Sequence, residues 1–193
     1  VDMYRGCDMG CTYCFANMEA FKEIGTGLQY WREAEIKDVR HKFELAFRDD
    51  KPYKEIIIEL LRHRVPLHCG GMSDPFQSRE RNLKLTYEFI KLCNEYNYPI
   101  MFSTKTDHLP EEYFEILNPE LHAFQVSILG WSEDYIKTWE YNTPSAQKRA
   151  EFVKELRDRG FWCSVRIQPI IDIEECELLM HHMKNIPSYY SMK

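Results

Sequence analysis

The chain has 193 residues and a formal net charge of −6. Hydrophobic residues make up 44% of it and charged residues 29%, values typical of globular proteins, which excludes disordered and fibrous classes. The acidic balance argues against a general polyanion-binding protein. The longest apolar runs, such as Ile56-Ile57-Ile58, are far shorter than the roughly 20 residues that cross a bilayer, so we expect no membrane partner.

The length predicts a single domain over residues 1–193, because domains commonly hold roughly 100–200 residues. The chain begins with Val1 and lacks an initiator methionine, which suggests a fragment truncated at both ends. Its seven cysteines, an odd number, form a poor disulfide framework. We therefore expect reduced thiols and a cytoplasmic protein.

Short apolar runs alternate along the chain with segments of helical periodicity. One strand is predicted to end at Met3–Arg5. Four further strands are predicted to cover residues 65–69, 99–103, 123–129 and 162–167. Helices are predicted over residues 15–23, 36–47, 52–61, 85–96, 110–117, 144–159 and 173–183. Ile56-Ile57-Ile58 makes a strand the competing interpretation of the third helix. Thr143 is expected to cap the helix that starts at Pro144.

Strands that alternate with helices predict an α/β fold with a parallel sheet and right-handed crossovers. The strands lack strict alternation of apolar and polar residues, which predicts that both faces of the sheet are covered. Five predicted strands, with no recognisable sixth, are too few for a closed eight-stranded barrel of roughly 250 residues. A doubly wound sheet or an open partial barrel is therefore expected.

Three cysteines, Cys7, Cys11 and Cys14, lie within eight residues. Their spacing lets a tight loop aim three thiolates at one point, and Gly10 allows the backbone angles that such a loop needs. Three cysteines can bind three irons of a [4Fe–4S] cluster and leave the fourth iron open. A structural zinc ion needs four ligands, so zinc completed by a distant residue is the alternative.

The pattern Cys-x3-Cys-x2-Cys followed by an aromatic residue resembles the signature of the radical S-adenosylmethionine (SAM) superfamily. Gly70-Gly71 stands where that superfamily often has Gly-Gly-Glu. Further segments resemble its spore photoproduct lyase-like branch, in the order that a βα series requires. They are Met72 to Gln77, Phe102 to Lys105, Val126 to Ile128 and Arg166 to Ile171.

The resemblance implies a partial (β/α)6 barrel of parallel strands with a [4Fe–4S] cluster on Cys7, Cys11 and Cys14 and SAM on the open iron. It implies a radical SAM enzyme that cleaves SAM reductively to a 5′-deoxyadenosyl radical, which abstracts hydrogen from a substrate that the motifs do not identify. It also implies an external one-electron reductant such as flavodoxin or ferredoxin.

The resemblance also implies a set of SAM contacts. It places Ser73 and Lys105 at the methionyl end and Ser127 at the ribose. It places the main chain of Tyr13 and Gln168 near the adenine, with Arg166 as a further polar contact.

Two positions depart from the lyase branch. The lyase branch has a cysteine that returns hydrogen, and this chain has Gly71 at that position. The branch has a tyrosine after the third cluster cysteine, where this chain has Phe15. Cys69 is a weak catalytic candidate for the missing thiol, although a small buried hydrophobe is the favoured interpretation. Photoproduct repair is therefore not expected, and nucleic acid is an unfavoured partner.

Two other functions compete with the enzyme. One is a non-enzymatic iron–sulfur electron carrier, against which the open iron and the SAM-like segments argue. The other is a zinc-stabilised nucleic-acid-binding module, against which the acidic charge and the lack of aromatic and basic stripes argue.

Overall fold

The computed structural model describes residues 1–16, 32–48, 51, 54–186 and 189–192. Two short strands near the start, β1 (Tyr4–Arg5) and β2 (Arg32–Glu33), pair antiparallel with each other. The main sheet is parallel and consists of β3 (Leu67–Cys69), β4 (Ile100–Thr104), β5 (His122–Ser127), β6 (Trp162–Ile167) and β7 (Tyr189–Met192).

Helices separate the strands of this sheet. They are α1 (Ile36–Arg48), α2 (Ile56–Arg62), α3 (Glu80–Leu83), α4 (Leu85–Glu95), α5 (Glu111–Phe114), α6 (Glu133–Trp139), α7 (Ala146–Asp158) and α8 (Ile173–Met183). Among the described residues, none of the helices has the length and apolar character needed to cross a membrane.

The strand order distinguishes the two predicted architectures. Each strand of the main sheet pairs with the next one in sequence, in the order β3-β4-β5-β6-β7. A doubly wound sheet reverses its strand order at a switch point, whereas a barrel adds each strand on the same side. The α/β expectation is confirmed, and the order is that of an open partial barrel.

The prediction of the sheet was wrong about its first strand and about its last strand. Residues Tyr4–Arg5 pair antiparallel with Arg32–Glu33 and stay outside the parallel sheet. A further strand, β7, pairs in parallel with β6, although the sequence indicated no strand after residue 167. Its segment, Tyr-Tyr-Ser-Met, is too short and too polar to give a strand signal without its partner.

The predicted helices at 36–47, 85–96 and 173–183 are confirmed within one residue at each end, and α2 confirms helix over strand at Ile56. The predicted cap at Thr143 is wrong, because its hydroxyl donates to the Glu140 carbonyl oxygen at 3.0 Å. Ser145 caps α7 instead and accepts from the Lys148 amide at 3.3 Å. The predicted helix at 15–23 lies outside the described residues beyond residue 16, as does Pro52.

Residues of both faces of the sheet are buried, as Phe102 on one face and Ser103 on the other show, but the two faces differ in their chemistry. Phe102, Phe124 and Val165 belong to the buried apolar core. Alternate residues carry polar groups, and Ser103 and Gln125 are joined across the opposite face by a hydrogen bond of 3.2 Å. The strands therefore alternate after all, because one face packs in the core and the other carries a polar surface.

Gly70 fixes the approach of the chain after β3 to the end of β4. Its φ is +107°, and an added Cβ would lie 2.2 Å from the Ser103 carbonyl oxygen. We predict that Gly70→Ala lowers the free energy of unfolding by about 1–3 kcal/mol, because it adds both a steric clash and backbone strain. The measurement is urea unfolding.

Gly71→Ala is the matched control. Among the described residues, its added Cβ would meet only Asp2 Oδ2, at 3.7 Å, so a change below about 0.5 kcal/mol is expected. Equal losses in the two variants would contradict the steric explanation.

Candidate functional site

A cavity of about 310 Å³ lies at the carboxyl ends of β3 to β6. Ligand sites of barrel and open α/β folds collect at this end of the strands. Every residue predicted to bind the cluster or SAM lines the cavity: Cys7, Cys11, Tyr13, Cys14, Ser73, Lys105, Ser127, Arg166 and Gln168. The fold thus brings together residues that are spread over most of the chain.

The three clustered cysteines are free thiols of intermediate exposure. Cys7 Sγ accepts a hydrogen bond of 3.4 Å from the Asp74 amide. Burial raises the pKa of Cys7 to about 12 and that of Cys11 to about 11, so without a bound cation these two thiols are protonated at neutral pH. The backbone at Gly10 has φ of +68°, as the loop prediction required.

Within the described ranges, no three His, Cys, Asp or Glu side chains are arranged as ligands of one metal ion. A [4Fe–4S] cluster makes a different demand, because each cysteine binds its own iron. Three accessible thiols on the wall of one cavity, beside the Asp74 amide, are a donor set that fits such a cluster.

The segment after α6 holds the cysteine loop in place. The Thr12 amide donates to the Trp139 carbonyl oxygen at 2.9 Å, and Cys11 forms an antiparallel bridge with Glu140. Asn142 Nδ2 donates to the Asp8 carbonyl oxygen. Gln77 and Ser78 also donate to the loop, at the Gly6 carbonyl oxygen and Asp8 Oδ2, so two distant segments hold its shape.

Glu140 is a buried carboxylate at the centre of these contacts. Arg149 Nη1, on α7, donates to Glu140 Oε2 at 2.8 Å, and the side chains of both residues are fully buried. Tyr13 donates its hydroxyl to Glu140 Oε1. Burial would raise the pKa of Glu140, but Arg149 and Lys105 outweigh it and hold this pKa below the ordinary value. Glu140 is therefore ionised.

Arg149 also connects this carboxylate to the sheet. Its Nη1 donates to the carbonyl oxygen of Ser127, at the end of β5, at 2.8 Å. One guanidinium nitrogen thus contacts both a strand end and the carboxylate that accepts from Tyr13. The ion pair joins the cysteine loop to the sheet.

Lys105 brings a positive charge to the cavity. Its Nζ lies 3.8 Å from Glu140 Oε1 and 5.9 Å from the centre of the Tyr13 ring. Burial would lower the pKa of Lys105, but Glu140 and Cys11 reverse the effect and raise it. The residue is therefore charged. Within the described residues its ammonium pairs with Glu140 at ion-pair distance but makes no hydrogen bond, so its N–H groups remain able to donate to a ligand.

Asp74 joins the end of β4 to the cysteine loop. Its Oδ1 accepts from the Thr104 hydroxyl at 2.8 Å, and its Oδ2 accepts from the Lys105 amide at 2.6 Å. Its own amide donates to Cys7 Sγ. This carboxylate thus fixes the main chain at Lys105 and the position of one cysteine.

The remaining predicted residues take different positions. The Ser73 hydroxyl donates to the Tyr4 carbonyl oxygen at 2.6 Å. Arg166 Nε donates to Gln168 Oε1 at 2.8 Å, so these two neighbours on the cavity wall restrain each other. Cys69 does not line the cavity; its side chain is fully buried in the core, and burial raises its pKa.

Sequence reasoning missed Glu140 and Arg149 altogether and gave Asp74 no role. A signal for one of them was present, because Arg149 falls on the face of α7 that also carries Ala146, Ala150 and Val153. A charged residue on the apolar face of a helix needs a buried partner. The pattern could therefore have pointed to an ion pair, although not to Glu140 as the partner.

Comparisons with known proteins agree with the motifs. A family model described as the radical SAM superfamily matches residues 1–181. Spore photoproduct lyase complexed with dinucleoside spore photoproduct has a TM-score of 0.67 at 16% identity, over 96% of this chain and 52% of that chain. Methylornithine synthase (PylB) has a TM-score of 0.63 at 10% identity, over 100% of this chain and 52% of that chain.

Streptococcus suis SuiB bound to S-adenosylmethionine has a TM-score of 0.63 at 13% identity, over 99% of this chain and 36% of that chain. At these identities the likeness to solved structures concerns the fold alone. The chain spans about half the length of the lyase and the synthase. No curated protein sequence matches this chain.

The ion pair between Glu140 and Arg149 can be tested by a double-mutant cycle. We predict that Arg149→Met lowers the free energy of unfolding by about 3–5 kcal/mol, because it leaves a buried carboxylate without its partner. Combining it with Glu140→Met should restore part of that loss. The measurement is chemical unfolding monitored by circular dichroism.

Lys154→Met is the control on the same helix. Lys154 pairs with Asp158 at the exposed surface, where an ion pair contributes at most about 0.5 kcal/mol. Additive losses from the two single variants at Glu140 and Arg149 would show that the pair is not coupled.

Proposed function

Because the chain belongs to the radical SAM superfamily, whose members are enzymes that use a [4Fe–4S] cluster and SAM, we propose that it cleaves SAM reductively and abstracts hydrogen from a substrate. One observation carries the proposal. A single cavity is lined by three cysteines of the superfamily spacing and by polar residues from the ends of successive strands. When bound, the cluster supplies an electron to SAM, and SAM supplies the radical that abstracts hydrogen.

Cys7, Cys11 and Cys14 are the proposed cluster ligands. Their loop is held by backbone contacts to Trp139 and Glu140 and by the Asp74 amide on Cys7. Such contacts to distant parts of the fold restrain the three thiols before a cluster binds. The one-electron reductant is proposed to be an external carrier such as flavodoxin or ferredoxin.

Lys105 is the proposed partner of the SAM carboxylate. Its ammonium is charged and has no hydrogen-bond partner among the described residues, and a compact cation suits a carboxylate. Ser73, whose hydroxyl is restrained by the Tyr4 carbonyl oxygen, is proposed to contact the same end of SAM. Ser127 is proposed to bind the ribose, and the main chain of Tyr13 and Gln168 to border the adenine.

Repair of spore photoproduct is not part of the proposal. Gly71 lines the cavity but has no thiol to return a hydrogen atom, and Cys69 is buried away from the cavity. Phe15 also lines the cavity and has no hydroxyl. The likeness to the lyase therefore supports the fold rather than the lyase's substrate, and the cofactors rest on the match to the superfamily model.

The cluster assignment predicts that Cys7→Ala, Cys11→Ala and Cys14→Ala each abolish the iron of a cubane cluster after anaerobic reconstitution, because each removes the ligand of one iron. Iron and sulfide analysis and electron paramagnetic resonance measure the outcome. Cys93→Ala is the control, since Cys93 is buried in the core and should leave iron binding intact. Full iron retention with all three clustered cysteines replaced, or one equivalent of zinc in protein purified anaerobically, would refute the assignment.

The SAM assignment predicts that Lys105→Ala weakens SAM binding by about ten- to a hundredfold while the cluster is retained, because a charge-assisted hydrogen bond contributes about 1.5–3 kcal/mol. Calorimetric titration of the reconstituted protein with SAM measures this change. Lys84→Ala is the control, because Lys84 pairs with Glu112 elsewhere on the molecule. Unchanged SAM affinity in Lys105→Ala would remove this residue from the site.

The enzyme proposal is tested by incubating reduced, reconstituted protein with SAM and quantifying 5′-deoxyadenosine. Release of 5′-deoxyadenosine that depends on Cys7, Cys11 and Cys14 supports it. A brown protein that is indifferent to SAM would instead be an electron carrier.

A further inference from the structure

A continuous row of polar side chains crosses the inner face of the sheet beside the cavity. His68 Nε2 lies 2.6 Å from Ser103 Oγ, and Ser103 donates its hydroxyl to Gln125 Oε1 at 3.2 Å. Arg166 Nη1 donates to the same Gln125 oxygen at 3.2 Å. The row therefore links one residue from each of β3, β4, β5 and β6.

Arg166 is the only residue of this row with a permanent charge, and that charge lacks a counter-ion within the part of the chain that the structure describes. Its hydrogen-bond partners are the amide oxygens of Gln125 and Gln168, and no carboxylate oxygen of the described residues lies within 4.0 Å. Amide oxygens satisfy its N–H groups but do not neutralise its charge.

The positive charge of Arg166 lowers the pKa of a neighbouring residue, His68. The pKa of His68 is lowered first by burial and then by the N-terminal ammonium and Arg166, so the histidine adds no second charge at neutral pH. Asp2 also faces His68, and its carboxylate acts in the opposite direction by raising the pKa of the histidine. An anion bound at Arg166 would compensate a charge that the described chain leaves uncompensated.

Among the described residues that line the cavity, two are cations, Lys105 and Arg166. Lys105 lies beside Glu140 and near the cysteine loop, whereas Arg166 is on β6 beside two neutral amides. SAM has one carboxylate, which the proposed function assigns to Lys105. Arg166, which the resemblance implied as a further polar contact of SAM, therefore remains for an anion that is not part of SAM.

We propose that Arg166, flanked by Gln125 and Gln168, binds an anionic group of the substrate, either a carboxylate or a phosphate. This inference rests on the proposed function, because it takes the SAM carboxylate as the partner of Lys105. A planar guanidinium matches the paired oxygens of both groups. Arg166 Nε and Nη2 donate to Gln168 and Nη1 donates to Gln125, so Nη1 and Nη2 each keep one further N–H for the anion.

The test uses cluster-reconstituted protein, with and without saturating SAM. Sodium phosphate and sodium acetate are the probes, sodium chloride is the reference anion at constant ionic strength, and titration calorimetry measures their binding. The variants are Arg166→Gln, which removes the charge, and Arg166→Lys, which keeps the charge but loses the planar fork. Lys105→Gln is the matched control from the other side of the cavity.

One equivalent of phosphate or acetate is expected to bind the SAM-loaded protein. Arg166→Gln should weaken that binding at least tenfold, and Arg166→Lys should give an intermediate value. With SAM kept saturating, Lys105→Gln should change probe affinity less than threefold, although it weakens SAM binding. Tighter binding of phosphate would identify a phosphorylated substrate, and tighter binding of acetate a carboxylate.

Three results would overturn the inference. The first is that neither probe binds better than chloride. The second is that Arg166→Gln binds the probes as tightly as the parent protein does. The third is that SAM displaces the probes and that Arg166→Gln weakens SAM binding as much as Lys105→Gln does. The last result would assign Arg166 to the SAM carboxylate. If the protein fails to take up a cluster or SAM, the proposed function fails, whereas the titrations without SAM still decide whether Arg166 forms an anion site.

Discussion

The buried ion pair between Glu140 and Arg149 is the interaction on which the cavity depends. It joins the Tyr13 hydroxyl, the Ser127 carbonyl oxygen and the ammonium of Lys105 through two fully buried side chains. Burying two charges is costly, and Arg149 Nε and Nη2 have no hydrogen-bond partner among the described residues. An apolar pair would hold α7 in place at lower cost. The pair is therefore best explained by what it positions.

The two faces of the sheet serve different purposes, because one contributes to stability and the other to function. Phe102 and Phe124, on the outer face, lie with their ring centres 5.3 Å apart in an apolar core. The inner face carries Ser103, Gln125 and Arg166, which contribute little apolar burial but supply hydrogen-bonding groups. Because side chains alternate along a strand, one backbone serves both purposes. Substitutions on the inner face can then alter recognition while the core stays intact.

Much of the fold could be predicted from the sequence, because helical periodicity and short β-branched runs are local signals. The strand Tyr189–Met192 could not, since four mixed residues become a strand only by pairing with β6. The residues of the candidate site divide in the same way, into those with a local sequence signal and those without one. Cys7 and Lys105 follow from motif spacing, whereas Glu140 is identified only by what surrounds it in space. A lone acidic residue in a sequence carries no sign of whether it will be buried.

The adjacent glycines after β3 have a consequence for how this scaffold can change its chemistry. At Gly70 the backbone touches a neighbouring strand, so that position is closed to every side chain. Gly71 is open and borders the cavity. A side chain can therefore be added within reach of a ligand without any rearrangement of the barrel. At this position a relative with a thiol differs from this chain by one substitution, which the open backbone site at Gly71 can accommodate.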